Sequence, residues 1–191
     1  MVFTISPSVL RGLTTEPALS REKLQALEQL TLESITRVWL QTDERFWIAR
    51  GESGRVDTGS PIGPIRDESE GMPGASGILG VYTKRAEARR LAAMGERERV
   101  QAVLGLMQAA QPGVKEHFVS AASKCWDTDP WQLGAYAYFK VGQLTALGPH
   151  LSTAEGRLHF AGDHTSYRPG FMHGALASAR RVVAEVVASR G

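Results

Sequence analysis

The sequence holds one cysteine, Cys125, so no disulfide closes within the chain and no thiolate cluster can bind a metal. It has no apolar run approaching the ~20 residues that cross a bilayer, and no membrane partner is expected. Residues 1–10 show neither a basic stretch nor a long apolar one, so no secretion signal is expected and the expected compartment is the cytoplasm. Charge of one sign is also scarce. The 22 Lys and Arg stand against 20 Asp and Glu, which leaves no electrostatic footprint for nucleic acid.

What is present is a globular composition, 42% apolar and 22% charged, which argues against disorder. The β-branched and aromatic run at 2–5 reads as a strand, ended by Ser6-Pro7. A helix is predicted from Ser20 as N-cap, with Glu22 in its first turn and Leu24, Leu27 and Leu30 on one face. Residues 35–41 read as a strand. Between Gly51 and Gly77, glycine, proline and serine cluster, predicting turns and short strands. A buried strand is expected at 78–82, helices at 85–94 and 96–110, and a strand at 117–121. The end of the chain reads as a strand at 157–161, a polar loop at 162–170 and a helix at 171–188. That helix carries Met172, Ala175, Leu176, Ala179, Val182, Val183, Val186 and Val187 on one face.

The candidate chemistry centres on this last strand, loop and helix. Small residues at Ala161 and Gly162 allow a ligand close to the backbone, and a helix starting near Gly170 presents unpaired N–H groups and a positive dipole end. On spacing alone, the same pattern also describes a plain strand-to-helix crossover with a glycine turn. Trp126, Trp131 and Tyr136 in the stretch 126–136 read equally as core or surface aromatics. Arg37 shares a strand face with Ile35 and Trp39. A half-buried cation there is either functional or part of a structural ion pair.

Phe160-Ala161-Gly162-Asp163-His164-Thr165-Ser166 followed by Gly170-Phe171-Met172-His173-Gly174-Ala175 resembles the C-terminal flavin-binding motif of the monoamine oxidase and L-amino-acid oxidase family. Asp163 stands where that motif has glutamate. The segment 126–136 resembles the family's W-x-x-D-P-[WY]-x-x-G-A-Y stretch, and 32–41 with Phe46-Trp47 resembles its strand with a lysine where this chain has Arg37. Residues 2–11 and 17–20 are similar to its C-T-I-P-x-x-V-L-R and P-x-L-S stretches, so almost the whole chain is covered.

The resemblance implies FAD as cofactor, contacted by Trp126, Trp131, Gly162, Asp163 and Met172. It implies Tyr136 and Phe171 as aromatic walls of the substrate passage and Arg37 as a residue that orients water. A guanidinium stays protonated, so Arg37 is not expected to serve as a base. Ala135 stands where some members carry the cysteine bonded to FAD, which implies noncovalent binding. The implied reaction is oxidative deamination of a small-molecule amine or amino acid.

The expected fold is mixed, α+β. A substrate-binding domain at 13–149 would carry a twisted, largely antiparallel sheet with flanking helices. Residues 1–12 and 150–191 would form part of an incomplete, Rossmann-like FAD-binding domain. No G-x-G-x-x-G turn follows an initial strand, so the dinucleotide-binding half is expected to be missing. That would leave strand edges and an apolar face of the 171–188 helix uncovered. Three readings follow: one subunit or cleavage product of a two-chain oxidase whose partner brings that half, an inactive truncated-gene product, or a binding module that retains the scaffold; the expected protein partner is that second chain or, alternatively, a further copy in a homo-oligomer.

Overall fold

The computed structural model describes residues 1–189. The chain divides into two compact units, residues 1–33 with 129–191 and residues 34–128. It begins with β1 (Val2–Phe3), α1 (Pro7–Leu10), α2 (Arg21–Gln29) and β2 (Thr31–Leu32). The middle unit follows, with β3 (Ile35–Thr42), β4 (Ile65–Asp67), β5 (Gly77–Lys84), α3 (Arg85–Ala92), α4 (Glu96–Ala110) and β6 (Phe118–Cys125). The chain closes with β7 (Ala137–Tyr138), α5 (Gln143–Ser152), β8 (His159–Phe160) and α6 (Met172–Ala188). The fold is therefore mixed helix and strand, as expected.

In the 34–128 unit, four antiparallel strands run in the order β4-β5-β3-β6. Strand alternation puts Val38 and Leu40 of β3 level with Val81 and Leu79 of β5, all fully buried. They share a core with Val103, Leu104 and Met107 on the inner face of α4. The opposite face of β3 carries Arg37 and Trp39, both half-buried, and Arg37 lies level with Tyr82 and Lys124 on the flanking strands.

In the other unit, β1 pairs with β8 in parallel, Val2 beside His159 and Phe3 beside Phe160, while β2 and β7 pair antiparallel. The predicted cap of α2 is present, with Ser20 Oγ accepting from the Lys23 N–H. Its buried face differs from the prediction: Leu24 is exposed, and Lys23 is buried with Ala26 and Leu27. The reason is α5, which the sequence pattern did not reveal. The Lys23 ammonium donates to the carbonyls of His150 at 2.6 Å and Thr153 at 2.9 Å, which end α5 without intrahelical partners, and sits 3.7 Å above the Phe160 ring centre. Burial pushes its pKa down from 10.5 to about 8.

Leu19, Leu27, Leu30, Ala137, Leu147 and Leu151 pack with Leu158 and Phe160 from the end of the chain. On α6, Gly174, Ser178 and Val182 are buried. Met172, Leu176, Val183 and Val187 of the predicted apolar face lie between 63% and 83% exposed, forming an uncovered stripe. Among the described residues no helix is long and apolar enough to cross a membrane.

Candidate cofactor-binding site

The turn between β8 and α6 is held by its own backbone and short polar side chains. Gly162 adopts φ 144°, which favours glycine, and a Cβ there would lie 2.6 Å from Nδ1 of His164. Its N–H donates to Ser178 Oγ at 2.8 Å, which ties the turn to the second turn of α6. The Asp163 carboxylate accepts from the Gly170 N–H at 2.7 Å and closes the loop. Ser166 Oγ donates to the Asp163 carbonyl at 3.0 Å and accepts from the Arg168 N–H at 3.1 Å.

This loop delivers α6 with its first turn open. Phe171, the N-cap residue, supplies no capping side chain, and Phe171 and Met172 are 67% and 83% exposed. The first amides of α6 therefore meet solvent with the positive end of the helix dipole behind them. The Tyr136 ring rests against Gly170, one residue before Phe171; a Cβ at Gly170 would lie 3.0 Å from its Cδ2. Tyr136, Ala135, Gly162, Asp163, His164 and Ser6 contribute to the wall of one cavity of about 100 Å³.

A family model described as flavin-containing amine oxidoreductase matches residues 1–187. The chain belongs to that family. Among its relatives is YobN of Bacillus subtilis, classed by name with the L-amino-acid oxidases, 34% identical over 97% of this chain and 40% of its own. An L-amino-acid oxidase of Siganus canaliculatus is 31% identical over 90% of this chain and 33% of its own. The chain thus spans 40% or less of the length of these two relatives. Its fold matches a putrescine oxidase variant with a TM-score of 0.86 at 21% identity, covering 98% of this chain and 42% of that one. It also matches cyclohexylamine oxidase of Brevibacterium oxydans with a TM-score of 0.82 at 24% identity, again over 98% and 42%.

The family implies a flavin, and the residues present fit one. Two positive-φ glycines hold the backbone open beside the turn, the start of α6 is uncovered, and the cavity has both polar and apolar walls. Of the predicted site residues, Tyr136, Gly162, Asp163, Phe171 and Met172 converge on this turn. Trp131 belongs to the same unit and is 77% exposed.

Arg37 and Trp126 belong to the 34–128 unit. Arg37 forms an ion pair with Glu68 and lies over the Trp39 ring at 4.8 Å. This partner was not apparent in the sequence, because Glu68 lies in the turn-rich region. A Cβ at Gly80 would lie 2.9 Å from Glu68, so the glycine makes room for the pair. Trp126 lies 5.2 Å beneath the Lys124 ammonium.

Two other residues of the site unit escaped the sequence reading. Lys23 supports Phe160, the last residue of the strand before the turn. His164 is 6% exposed, and burial pushes its pKa down from 6.5 to about 4, helped by the Lys23 charge and opposed by that of Asp163. The unfolded chain therefore takes up this proton first as pH falls. Stability is expected to drop between pH 6.5 and about 4, by as much as about 3 kcal/mol. His164→Gln should flatten that limb in urea melts across the range, and an unchanged limb would assign the acid sensitivity elsewhere.

Proposed function

We propose that this chain is the C-terminal, flavin-contacting part of an FAD-dependent amine or L-amino-acid oxidase that carries out oxidative deamination. The observation that carries the reading is the glycine turn from β8 into the open start of α6, with Tyr136 against Gly170. Gly162 and Asp163 lie along the cofactor, and the N–H groups beginning at Met172 face an electron-rich edge of its ring. Trp131, in the same unit, adds a contact to the ring. The chemistry supplied by a bound flavin is hydride acceptance from the substrate α-carbon, with O2 as final oxidant and peroxide as product.

The protein's own contribution is positioning. Tyr136 and Phe171 form aromatic walls that steady an amine through their ring quadrupoles. By resemblance, Arg37, paired with Glu68 in the 34–128 unit, is assigned the task of orienting water. Ala135 offers no nucleophile, so FAD is held noncovalently. The exposed α6 stripe and the outer edges of β1 and β8 are where a dinucleotide-binding half, on the same or a second chain, completes the site. Without it the chain is inactive.

The test is uptake of FAD by the purified 191-residue chain, followed by removal of free cofactor. A flavin absorbance band between ~350 and 500 nm should remain with the protein. A colourless protein would remove the claim that this turn holds FAD by itself.

A further inference from the structure

The outer face of the sheet in the 34–128 unit gathers positive charge. Arg66 of β4, Lys84 of β5 and Lys124 of β6 lie on the face that carries Arg37. Glu68, on the same side, is engaged by Arg37. Next to this array is an open hollow of about 480 Å³, lined by Arg66, Lys84, Tyr82, Pro61, Gly63 and Pro64. Its walls hold two cations and no carboxylate. Among the described residues neither cation makes an ion pair: Arg66 is exposed, and Lys84 lies 5.3 Å from the centre of the Tyr82 ring.

The hollow has a fixed wall. Thr83 Oγ1 donates to the Ile62 carbonyl at 2.8 Å and Thr58 Oγ1 to that of Gly63 at 2.9 Å, which bind the turn to β5 and to itself. Gly63 adopts φ 80°, and a Cβ there would lie 2.7 Å from the Tyr82 carbonyl oxygen, so the turn comes as close to β5 as a glycine allows. The prolines and the Tyr82 ring suit a short methylene chain, and a guanidinium beside an ammonium suits a carboxylate at its end. Arg66 stands opposite Gly80, and Gly80 opposite Trp39 of β3, so two strand spacings, about 10 Å, separate the strand of Arg66 from that of Arg37.

We propose that Arg66 and Lys84 form a carboxylate subsite, and that the amine oxidised carries a carboxylate remote from its reacting end, as an acidic amino acid does. The inference rests on the oxidase reading, in which Arg37 attends the reacting end. The separation between the two strands suits a carboxylate several bonds from the amine rather than one on the same carbon. Arg66 and Lys84 are thus specificity-determining residues that take no part in the chemistry.

The experiment titrates L-glutamate and L-glutamine, which differ in the charge at the end of the side chain, into the isotope-labelled 191-residue chain and follows both by NMR. L-glutamate should bind about tenfold more tightly, with shifts at Arg66, Tyr82 and Lys84. Arg66→Gln and Lys84→Gln should each remove most of that preference and leave the glutamine response as it was, and Arg66→Lys should retain part of it. Absence of a preference, or one that survives both glutamine variants, overturns the subsite. Inorganic phosphate at matched ionic strength is the second arm; shifts at Arg66 and Lys84 as large as those from glutamate would mark a site for any anion and overturn the carboxylate assignment. FAD uptake is measured separately on the same chain. A glutamate preference without flavin uptake supports the subsite while removing the oxidase reading, and uptake without a preference does the reverse.

Discussion

Gly174→Ala is expected to destabilise the unit formed by residues 1–33 and 129–191 by about 1–3 kcal/mol, against the intrinsic preference of a helix for alanine. At an open helix position the same change stabilises by about 1 kcal/mol. Gly174 lies in the first turn of α6, where a methyl group would overlap the carbonyl oxygen of Arg168 and the hydroxyl of Ser166 and lie 2.9 Å from the Arg168 carbonyl carbon. These atoms cannot swing aside as a side-chain tip does. They belong to a loop fixed by the Asp163 carboxylate on Gly170 and by the bonds of Ser166. A urea melt measures the loss, and FAD uptake should fall with it because the displaced loop carries Gly162 and Gly170. An alanine variant as stable as the wild type would mean that the loop retreats freely and does not define the turn.

Trp47→Ala should cost about 4 kcal/mol in the 34–128 unit. Trp47 is fully buried, meets Phe46 edge-on at 5.1 Å, and donates from Nε1 to the Asp67 carboxylate at 3.2 Å. The surroundings are shaped to its ring. A Cβ at Gly54 would lie 2.7 Å from Nε1, and one at Gly77 would overlap the far edge of the indole. Truncation leaves both a cavity and a carboxylate oxygen without its donor, and these losses add. Hydrogen exchange should quicken through β3, β4 and β5, and a chemical melt should lose the stated stability. A loss below about 1 kcal/mol would show that the site collapses around the missing ring.

Much of the fold was legible because it rests on local chemistry. Strand alternation at 35–41, the helical period at 96–110 and the Ser20 cap each concern residues within a turn or two of one another. The glycine turn at 162–170 was legible for the same reason, since a positive φ and a close backbone approach are properties of single positions. α5 was less legible. Gly148 and Pro149 lie inside it, and Pro149 breaks the local signal although the helix runs on to Ser152. The burial of Lys23 was also hidden, because a lysine on an amphipathic helix reads as a solvated residue until carbonyls some 130 positions away are brought to it.

The amino-acid order by itself determined where most strands and helices form, which glycines permit the turn into α6, and which aromatic residues accompany it. Tertiary structure alone decided that Arg37 meets Glu68, that Lys23 closes the end of α5, and that Ser6 and His164 share one cavity. Short-range patterns encode short-range energies. The partner of a buried charge or hydroxyl is chosen by chain segments far apart in sequence, whose meeting only the folded topology specifies.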